Sequence, residues 1–126
     1  MGYYKDLIVY KKSYELAMDI FNLTRNFPKD EKYSMVDQIR RSSRSVCTNL
    51  AEAYRRRQYR DYFISKLNDC GAENAETQIW LDFAKDCGYI TEEIWQELSN
   101  KNNEVGKLIW YMSCHPEKFR GTPPNS

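Results

Sequence analysis

A stretch of 26 residues without glycine or proline, from Gln38 to Phe63, most constrains the fold of this chain. Because neither helix-breaking residue occurs in it, the stretch can form one continuous helix. Small and apolar residues recur in and just before it with the period of an α-helix: Val36, Ile39, Ser43, Val46, Leu50 and Ala53. This spacing places them on one face and predicts an amphipathic helix that packs against other helices.

A row of polar residues runs beside this apolar face. It consists of Arg41, Ser45, Asn49, Glu52 and Arg56, spaced by three or four residues. Side chains at these spacings are neighbours on a helix surface. We therefore predict a structural polar network in a helix–helix seam, in which Arg41 pairs with Glu52 or Asn49.

The remaining sequence divides into three further helical segments. The four helices are predicted at about residues 6–27, 31–57 or 34–57, 59–87 and 91–115. Asp6 and Thr91 are the predicted N-caps of the first and fourth helices, Ser34 is that of the shorter second helix, and Gly88 is a glycine stop. Gly71 falls inside the third and predicts a close approach of another helix. Short connections favour an all-α, up-down-up-down antiparallel four-helix bundle. Residues 1–119 form one domain, and 120–126 are predicted to be a disordered tail.

Composition excludes several classes of protein. The sequence has no apolar run long enough to span a membrane and no signal peptide, which predicts a cytoplasmic location. Four separated cysteines and a single histidine give little basis for a metal site, so none is predicted, and no cofactor is expected.

Charge is uneven: residues 1–63 hold 13 basic and 8 acidic side chains, whereas 64–126 hold 6 and 10. Such asymmetry suits a polyanion partner or complementary subunit faces.

The arginines of the central stretch are candidates for contact with nucleic acid. Arg40, Arg44 and Arg55 are separated by near-integral helical turns, so they predict a line of guanidinium groups along one edge. Arg57, Arg60 and Lys66 extend this candidate nucleic-acid-binding set. Tyrosines at 54, 59 and 62 interleave with the arginines and could stack on unpaired bases. The alternative is that these arginines pair with acids of neighbouring helices or subunits.

Two other groups of residues leave alternatives open. Trp80 and Trp110 each adjoin an apolar residue of a predicted seam, so they mark either an oligomer interface or the edge of a wide core. Asp69, Glu73 and Glu76 could gather a cation, although a solvated face or partners for the arginines are favoured.

Several segments together resemble a known family. They are YKDLIVYKKSYELAMDIFNLT, FPKDEKYSMVDQIRRSSRSVCTNLAEA, ENAETQIWL, DCGYI and PEKF, in this order along the chain. With them the chain resembles the four-helix-bundle proteins encoded within 23S rRNA intervening sequences. The most specific motif is Q-x-x-R-x-x-x-S-x-x-x-N-x-A-E, from Gln38 to Glu52. The chain departs from the family at Ala53, where glycine is frequent, and at Cys70-Gly71, where a Gly-Ser pair is common.

The resemblance implies a cytoplasmic bacterial bundle that assembles as a homopentamer and has no established enzymatic activity. Related accessory proteins of diversity-generating retroelements share the bundle and the ring, and use basic surfaces to hold nucleic acid and reverse transcriptase. An RNA-associated role follows by analogy.

Three functions can therefore be compared. The first is a non-enzymatic oligomeric protein that binds nucleic acid, RNA above all, through an arginine-rich helix face. The alternative is a ring-shaped protein-interaction scaffold, such as a reverse-transcriptase accessory protein, without nucleic-acid specificity of its own. An enzyme is not predicted, because one histidine cannot supply the two Glu-x-x-His pairs of a di-iron bundle and no glycine-rich phosphate loop occurs.

Overall fold

The computed structural model describes residues 3–120 and confirms the all-α, up-down-up-down four-helix bundle. The helices are α1 (Ile8–Thr24), α2 (Met35–Arg55), α3 (Arg60–Asp86), α4 (Glu92–Cys114) and the short α5 (Glu117–Arg120). Single 3₁₀ turns precede α1 at Tyr4–Asp6 and α2 at Lys29–Glu31. Each long helix packs on the next in sequence, and α1 packs on α4 to close the bundle. None of the described helices is long and apolar enough to cross a membrane.

The predicted start of the first helix is wrong. Asp6 lies in the 3₁₀ turn, and the N-cap of α1 is Leu7, whose extended backbone (ψ 131°) separates the turn from the helix. Ser34 does hold the N-cap position of α2, yet its hydroxyl donates to the Glu31 carboxylate at 2.7 Å rather than bonding the helix backbone.

Two other helix ends follow the sequence prediction. The Thr91 hydroxyl accepts a hydrogen bond from the Ile94 N–H at 3.2 Å, which caps α4. Gly88 has φ +77°, a conformation that favours glycine. Its N–H donates to the Lys85 carbonyl and that of Tyr89 to the Ala84 carbonyl, both at 2.9 Å, which is the Schellman ending of α3.

The predicted tail falls mostly outside the described residues. Arg120 is the last residue of α5, and residues 121–126 lie beyond the part of the chain that the structure describes.

The core consists of two main hydrophobic clusters with polar side chains at the level between them. The first cluster centres on Leu50, Phe63 and Leu67, and the second on Ile20, Ile39 and Leu81, all of them 1% exposed or less. Burial of these apolar side chains is the main favourable term in folding.

Every long helix contributes to the polar layer, which we define as Ser13, Ser42, Asn74, Thr77 and Asn102. The Ser42 and Thr77 hydroxyls lie 2.8 Å apart. The Asn74 amide donates to the Asn102 backbone carbonyl at 3.0 Å and side-chain oxygen at 2.8 Å, and the Asn102 amide donates back to the Asn74 carbonyl at 3.1 Å. Because each group would be costly to bury unpaired, the layer favours one helix register over others.

The close helix approach occurs at Gly106, not at Gly71. A Cβ built at Gly71 would meet nothing within 4 Å, so the prediction at that position is wrong. A Cβ at Gly106 would lie 2.6 Å from the Asn74 side-chain oxygen, which belongs to the polar layer. Helical periodicity shows which face a glycine occupies, whereas the proximity of α4 to Asn74 depends on how the two helices pack.

We expect Gly106→Ala to lower the free energy of unfolding by about 1–2 kcal/mol, because the added methyl group displaces the Asn74 side chain. Gly71→Ala is the matched control and should raise the free energy of unfolding by about 0.5–1 kcal/mol through helix propensity. Urea denaturation of both variants measures the difference. Equal effects of the two substitutions would contradict the assigned contact.

Candidate nucleic-acid interface

Three arginines surround the ring of Phe21 where α1 and α2 pack together. The guanidinium carbons of Arg40, Arg44 and Arg25 lie 4.6, 5.8 and 5.8 Å from the ring centroid. Arg40 also donates to the Thr24 hydroxyl at 2.9 Å and to the Phe21 carbonyl at 3.2 Å. We call Arg25, Arg40 and Arg44 the arginine cluster.

The positive charge of this cluster is not neutralised locally. Within residues 3–120, none of its three members has a carboxylate oxygen within 4.0 Å. Burial lowers the pKa of Arg40, and the neighbouring charges of Arg44 and Arg25 lower it further, with Asp37 opposing the shift. An anion bound here would reduce the repulsion among the three cations.

A shallow depression of about 400 Å³ lies beside the cluster on α2. Its lining is mostly polar and consists of Asp37, Arg40, Arg41, Arg44, Ser45 and Thr48. Two of the predicted nucleic-acid-binding residues, Arg40 and Arg44, therefore share one surface with two members of the predicted polar network, Arg41 and Ser45.

A second group of arginines lies where α2 passes into α3. The Arg57 guanidinium stacks over Tyr54 at 4.2 Å and donates to the Tyr54 carbonyl at 2.9 Å, while Arg56 lies 5.2 Å from the Tyr62 ring. The rings of Tyr54 and Tyr62 thus already have cations against them. Of the three tyrosines predicted to stack on bases, Tyr59 is the exposed one.

The other predicted residues of this region differ in how freely their charge is available. Arg55 is exposed, and Arg60 lies 3.6 Å from the exposed carboxylate of Asp61. Lys66 pairs with Glu52 at 2.9 Å and Asp69 at 3.8 Å, and donates to Asn49 at 3.3 Å. The hydrogen bond with Glu52 raises the pKa of Lys66. Because two carboxylates surround it, Lys66 adds little positive potential to the surface.

The predicted partners of Arg41 are wrong. Its two terminal nitrogens reach across to α3 and contact Glu73 at 2.9 and 3.1 Å and Glu76 at 2.6 Å. Glu52 forms an ion pair with Lys66 instead, and the Asn49 amide donates a hydrogen bond to the Ser45 carbonyl at 2.9 Å. The five predicted residues therefore do not form one network: Arg41 pairs with α3, Ser45 and Asn49 connect to Glu52 through Lys66, and Arg56 lies over the Tyr62 ring. The Arg41 side chain is 45% exposed. Of the three acids of α3 considered as a cation site, Glu73 and Glu76 instead pair with an arginine across the bundle, whereas Asp69 is exposed and contacts Lys66.

We expect Arg41→Ala to lower the free energy of unfolding at pH 7 by about 1 kcal/mol, as is typical of a partly exposed pair. The hydrogen bond from Arg41 lowers the pKa of Glu76 below its ordinary value of 4.5. When folding lowers the pKa of a carboxyl group, that group stabilises the fold at pH values above its pKa in the unfolded chain. This stabilisation is lost as the pH falls through the pKa of the group in the folded protein. The difference from wild type should thus shrink below about pH 4.5.

Urea denaturation of Arg41→Ala between pH 3 and 7 measures this dependence, with Arg60→Ala as the control for an exposed pair. A difference from wild type that stays constant over this range would contradict the assigned ion pairs.

Cysteine and histidine side chains are dispersed over the fold. Burial raises the pKa of the Cys47 thiol to about 11 and that of Cys70 to about 12, while Cys87 and Cys114 are exposed and free. His115 stacks on Tyr111 with ring centroids 4.3 Å apart. Within residues 3–120 no group of three His, Cys, Asp or Glu side chains converges as a metal site requires.

The tryptophans occupy different environments. Trp80 and Trp95 are half-buried and donate to Glu76 at 3.2 Å and Asp82 at 2.8 Å. Trp110 is 66% exposed, and Ile79 and Phe83 of α3 are exposed as well. We call Ile79, Phe83 and Trp110, each more than half exposed, the exposed apolar residues of α3 and α4.

Sequence reasoning missed two residues of this surface. They are Arg25, which follows α1 at its C-cap, and Phe21, whose ring the arginines surround. The signal available in the sequence was their spacing of four residues, which places Arg25 over the Phe21 ring.

Comparisons with known proteins agree with this fold. The sequence profile of the 23S rRNA-intervening sequence protein family matches residues 5–111. A crystal structure of a protein of unknown function from the S23 ribosomal protein family, from Bacteroides thetaiotaomicron, is 36% identical and has a TM-score of 0.77. The match covers 84% of this chain and 95% of that one. No functionally curated protein matches the sequence. The chain belongs to the family of 23S rRNA-intervening sequence proteins.

Proposed function

We propose that this protein is a non-enzymatic, oligomeric nucleic-acid-binding protein that contacts phosphates through the outer edge of α2 and the adjacent end of α1. The observation that supports the proposal most is the arginine cluster, in which three guanidinium groups converge on Phe21 and form no ion pair with a carboxylate of residues 3–120. A guanidinium group donates to phosphate oxygens through a planar fork, and neutralising a phosphate releases bound counterions.

The geometry of α2 extends this surface. At 100° per residue, Arg40, Arg44 and Arg55 lie within about 60° of one another around the helix, and Arg44 and Arg55 are about 16 Å apart along it. A rigid row of cations on a helix suits the regularly spaced charges of a nucleic-acid backbone. The name of the family refers to 23S rRNA, which makes RNA the first probe to test.

Self-association forms the second part of the proposal. The exposed apolar residues of α3 and α4, Ile79, Phe83 and Trp110, are large side chains that subunit contact would remove from water. The family resemblance implies a homopentamer, and a ring would present five copies of the arginine cluster. Light scattering of the purified protein would measure the assembled mass.

A protein-interaction scaffold is the alternative function. The exposed apolar residues and the net charge of only +1 favour it, since dedicated nucleic-acid-binding proteins tend to be basic overall. In that case a protein such as a reverse transcriptase would be the partner. A cytoplasmic location is expected for both functions.

The deciding experiment is fluorescence anisotropy of a labelled structured RNA titrated with nuclease-treated protein at 50 and 200 mM salt. Binding that weakens steeply with salt is expected, because each phosphate contact releases about 0.7–0.9 of a counterion. Absence of binding at 50 mM salt would overturn the proposal and favour the scaffold.

A further inference from the structure

Four tyrosines near the N-terminus form a continuous series of ring contacts. The ring centroids of Tyr3 and Tyr4 are 5.0 Å apart, those of Tyr4 and Tyr10 also 5.0 Å, and those of Tyr10 and Tyr14 6.2 Å. We call this series the tyrosine ladder. The Tyr14 side chain, at one end of the ladder, is 54% exposed.

The inner rings of the ladder hold the outer ones in place. Tyr10 is half-buried and packs against the first hydrophobic cluster, and Tyr4 lies edge-on to it. Tyr3 and Tyr14 are exposed at the two ends. Ring faces that are rigidly supported from within and open to solvent are what stacking on a planar ligand requires.

Lysines accompany the ladder. Lys5 and Lys11, together with Tyr10 and Tyr14, line an open depression of about 350 Å³. The Lys5 ammonium lies 5.7 Å from the Tyr3 ring centroid. Asp6 is the neighbouring acid, exposed in the 3₁₀ turn.

The ladder lies on the same edge of α1 as the arginine cluster. Tyr14, Phe21 and Arg25 differ by seven and four residues, so they fall within about 40° around the helix, with Tyr14 about 10 Å from Phe21 along it. Two acids of α1 are engaged elsewhere, since Lys101 of α4 contacts Asp19 at 2.8 Å and Glu15 at 3.7 Å. Aromatic rings and cations therefore share one edge of α1.

We propose that this edge binds an unpaired segment of nucleic acid, with bases stacked on Tyr14 and Tyr3 and phosphates held by Lys5, Lys11 and the arginine cluster. The inference depends on the proposed function and specifies its ligand. Bases of a duplex present only their edges, because both faces are covered by neighbouring pairs, whereas unpaired bases offer a face to an aromatic side chain. Tyr54 and Tyr62 are less suited, because both side chains are only partly exposed, whereas those of Tyr3 and Tyr14 are at least half exposed.

The test compares two labelled probes, a 15-nucleotide oligouridylate and a 15-base-pair RNA duplex, by fluorescence anisotropy. Tyr14→Leu removes the aromatic face and should weaken binding of the oligouridylate about tenfold, while binding of the duplex changes less than about twofold. Tyr14→Phe is the matched control, which keeps the face and should bind the oligouridylate within about twofold of wild type. Because Tyr14 is largely exposed, all variants should remain folded by circular dichroism.

Each other outcome overturns a defined part of the inference. If wild type binds RNA and Tyr14→Leu binds oligouridylate equally well, the tyrosine ladder is not the contact, although the proposed function stands. Equal losses for Leu and Phe would show that the hydroxyl group, not stacking, matters. A changed assembled mass for Tyr14→Leu by light scattering would identify Tyr14 as a subunit contact instead. If neither probe binds wild type, the proposed function fails as well.

Discussion

Replacing Asn102 with alanine is expected to lower the free energy of unfolding by about 3 kcal/mol. Asn102 is 3% exposed, and its amide donates to the Asn74 carbonyl at 3.1 Å and to the Gln78 side-chain oxygen at 3.3 Å. Its own oxygen accepts from the Asn74 amide at 2.8 Å. The substitution removes these three hydrogen bonds from a buried site and also removes packed volume, although the Asn74 amide keeps its bond to the backbone carbonyl at position 102.

Asn103→Ala is the matched control, because Asn103 is the next residue of α4 and is exposed. It should change the free energy of unfolding by less than about 0.5 kcal/mol.

In a double-mutant cycle, Asn74→Ala with Asn102→Ala should cost less than the two single effects added together, since each single variant already breaks the shared bonds. Urea denaturation of wild type and of the four variants gives the required values. Similar stabilities of the Asn102 and Asn103 variants would mean that the polar layer does not stabilise the bundle.

The number and order of the helices could be predicted from the sequence because they depend on local patterns. Apolar residues with a period of 3.6 identify the buried faces. Thr91 caps the start of α4 and Gly88 ends α3 through hydrogen bonds between residues only three to five positions apart. The close approach at Gly106 could not be predicted in this way. It depends on the distance between α3 and α4, which a pattern within one helix does not contain.

The candidate interface shows the same limit. The basic edge of α2 is visible from the spacing of Arg40, Arg44 and Arg55, since one helix contains all three. The partners of Arg41 are on another helix, and α3 offers Glu73 and Glu76 where α2 itself offered Glu52. Tyr14 presents a further difficulty, because a tyrosine fits the apolar pattern of a buried face and also fits an exposed edge. Only the packing of α1 against α2 separates these possibilities.

Reversing two charges of the basic edge, with Arg44→Glu and Arg55→Glu together, is expected to weaken RNA binding about a hundredfold at 50 mM salt. Neither side chain donates a hydrogen bond or forms an ion pair among residues 3–120, so the bundle should keep its helical circular dichroism. Arg40 is left unchanged because its bonds to Thr24 and Phe21 join α2 to α1. The salt dependence of binding should also become shallower, by about 1.5–2 in the slope of log K against log salt.

The matched control is Lys29→Glu with Lys107→Glu, which changes the net charge by the same amount at two exposed lysines outside the basic edge. If RNA binding depended only on net charge, both double variants would weaken it equally. The slope of log K against log salt would then be the same for the two variants. A loss confined to the α2 variant, with a shallower slope, would place phosphate contacts at Arg44 and Arg55, because only groups that release counterions change that slope. Loss of helical structure in the α2 variant would instead assign these arginines to the fold.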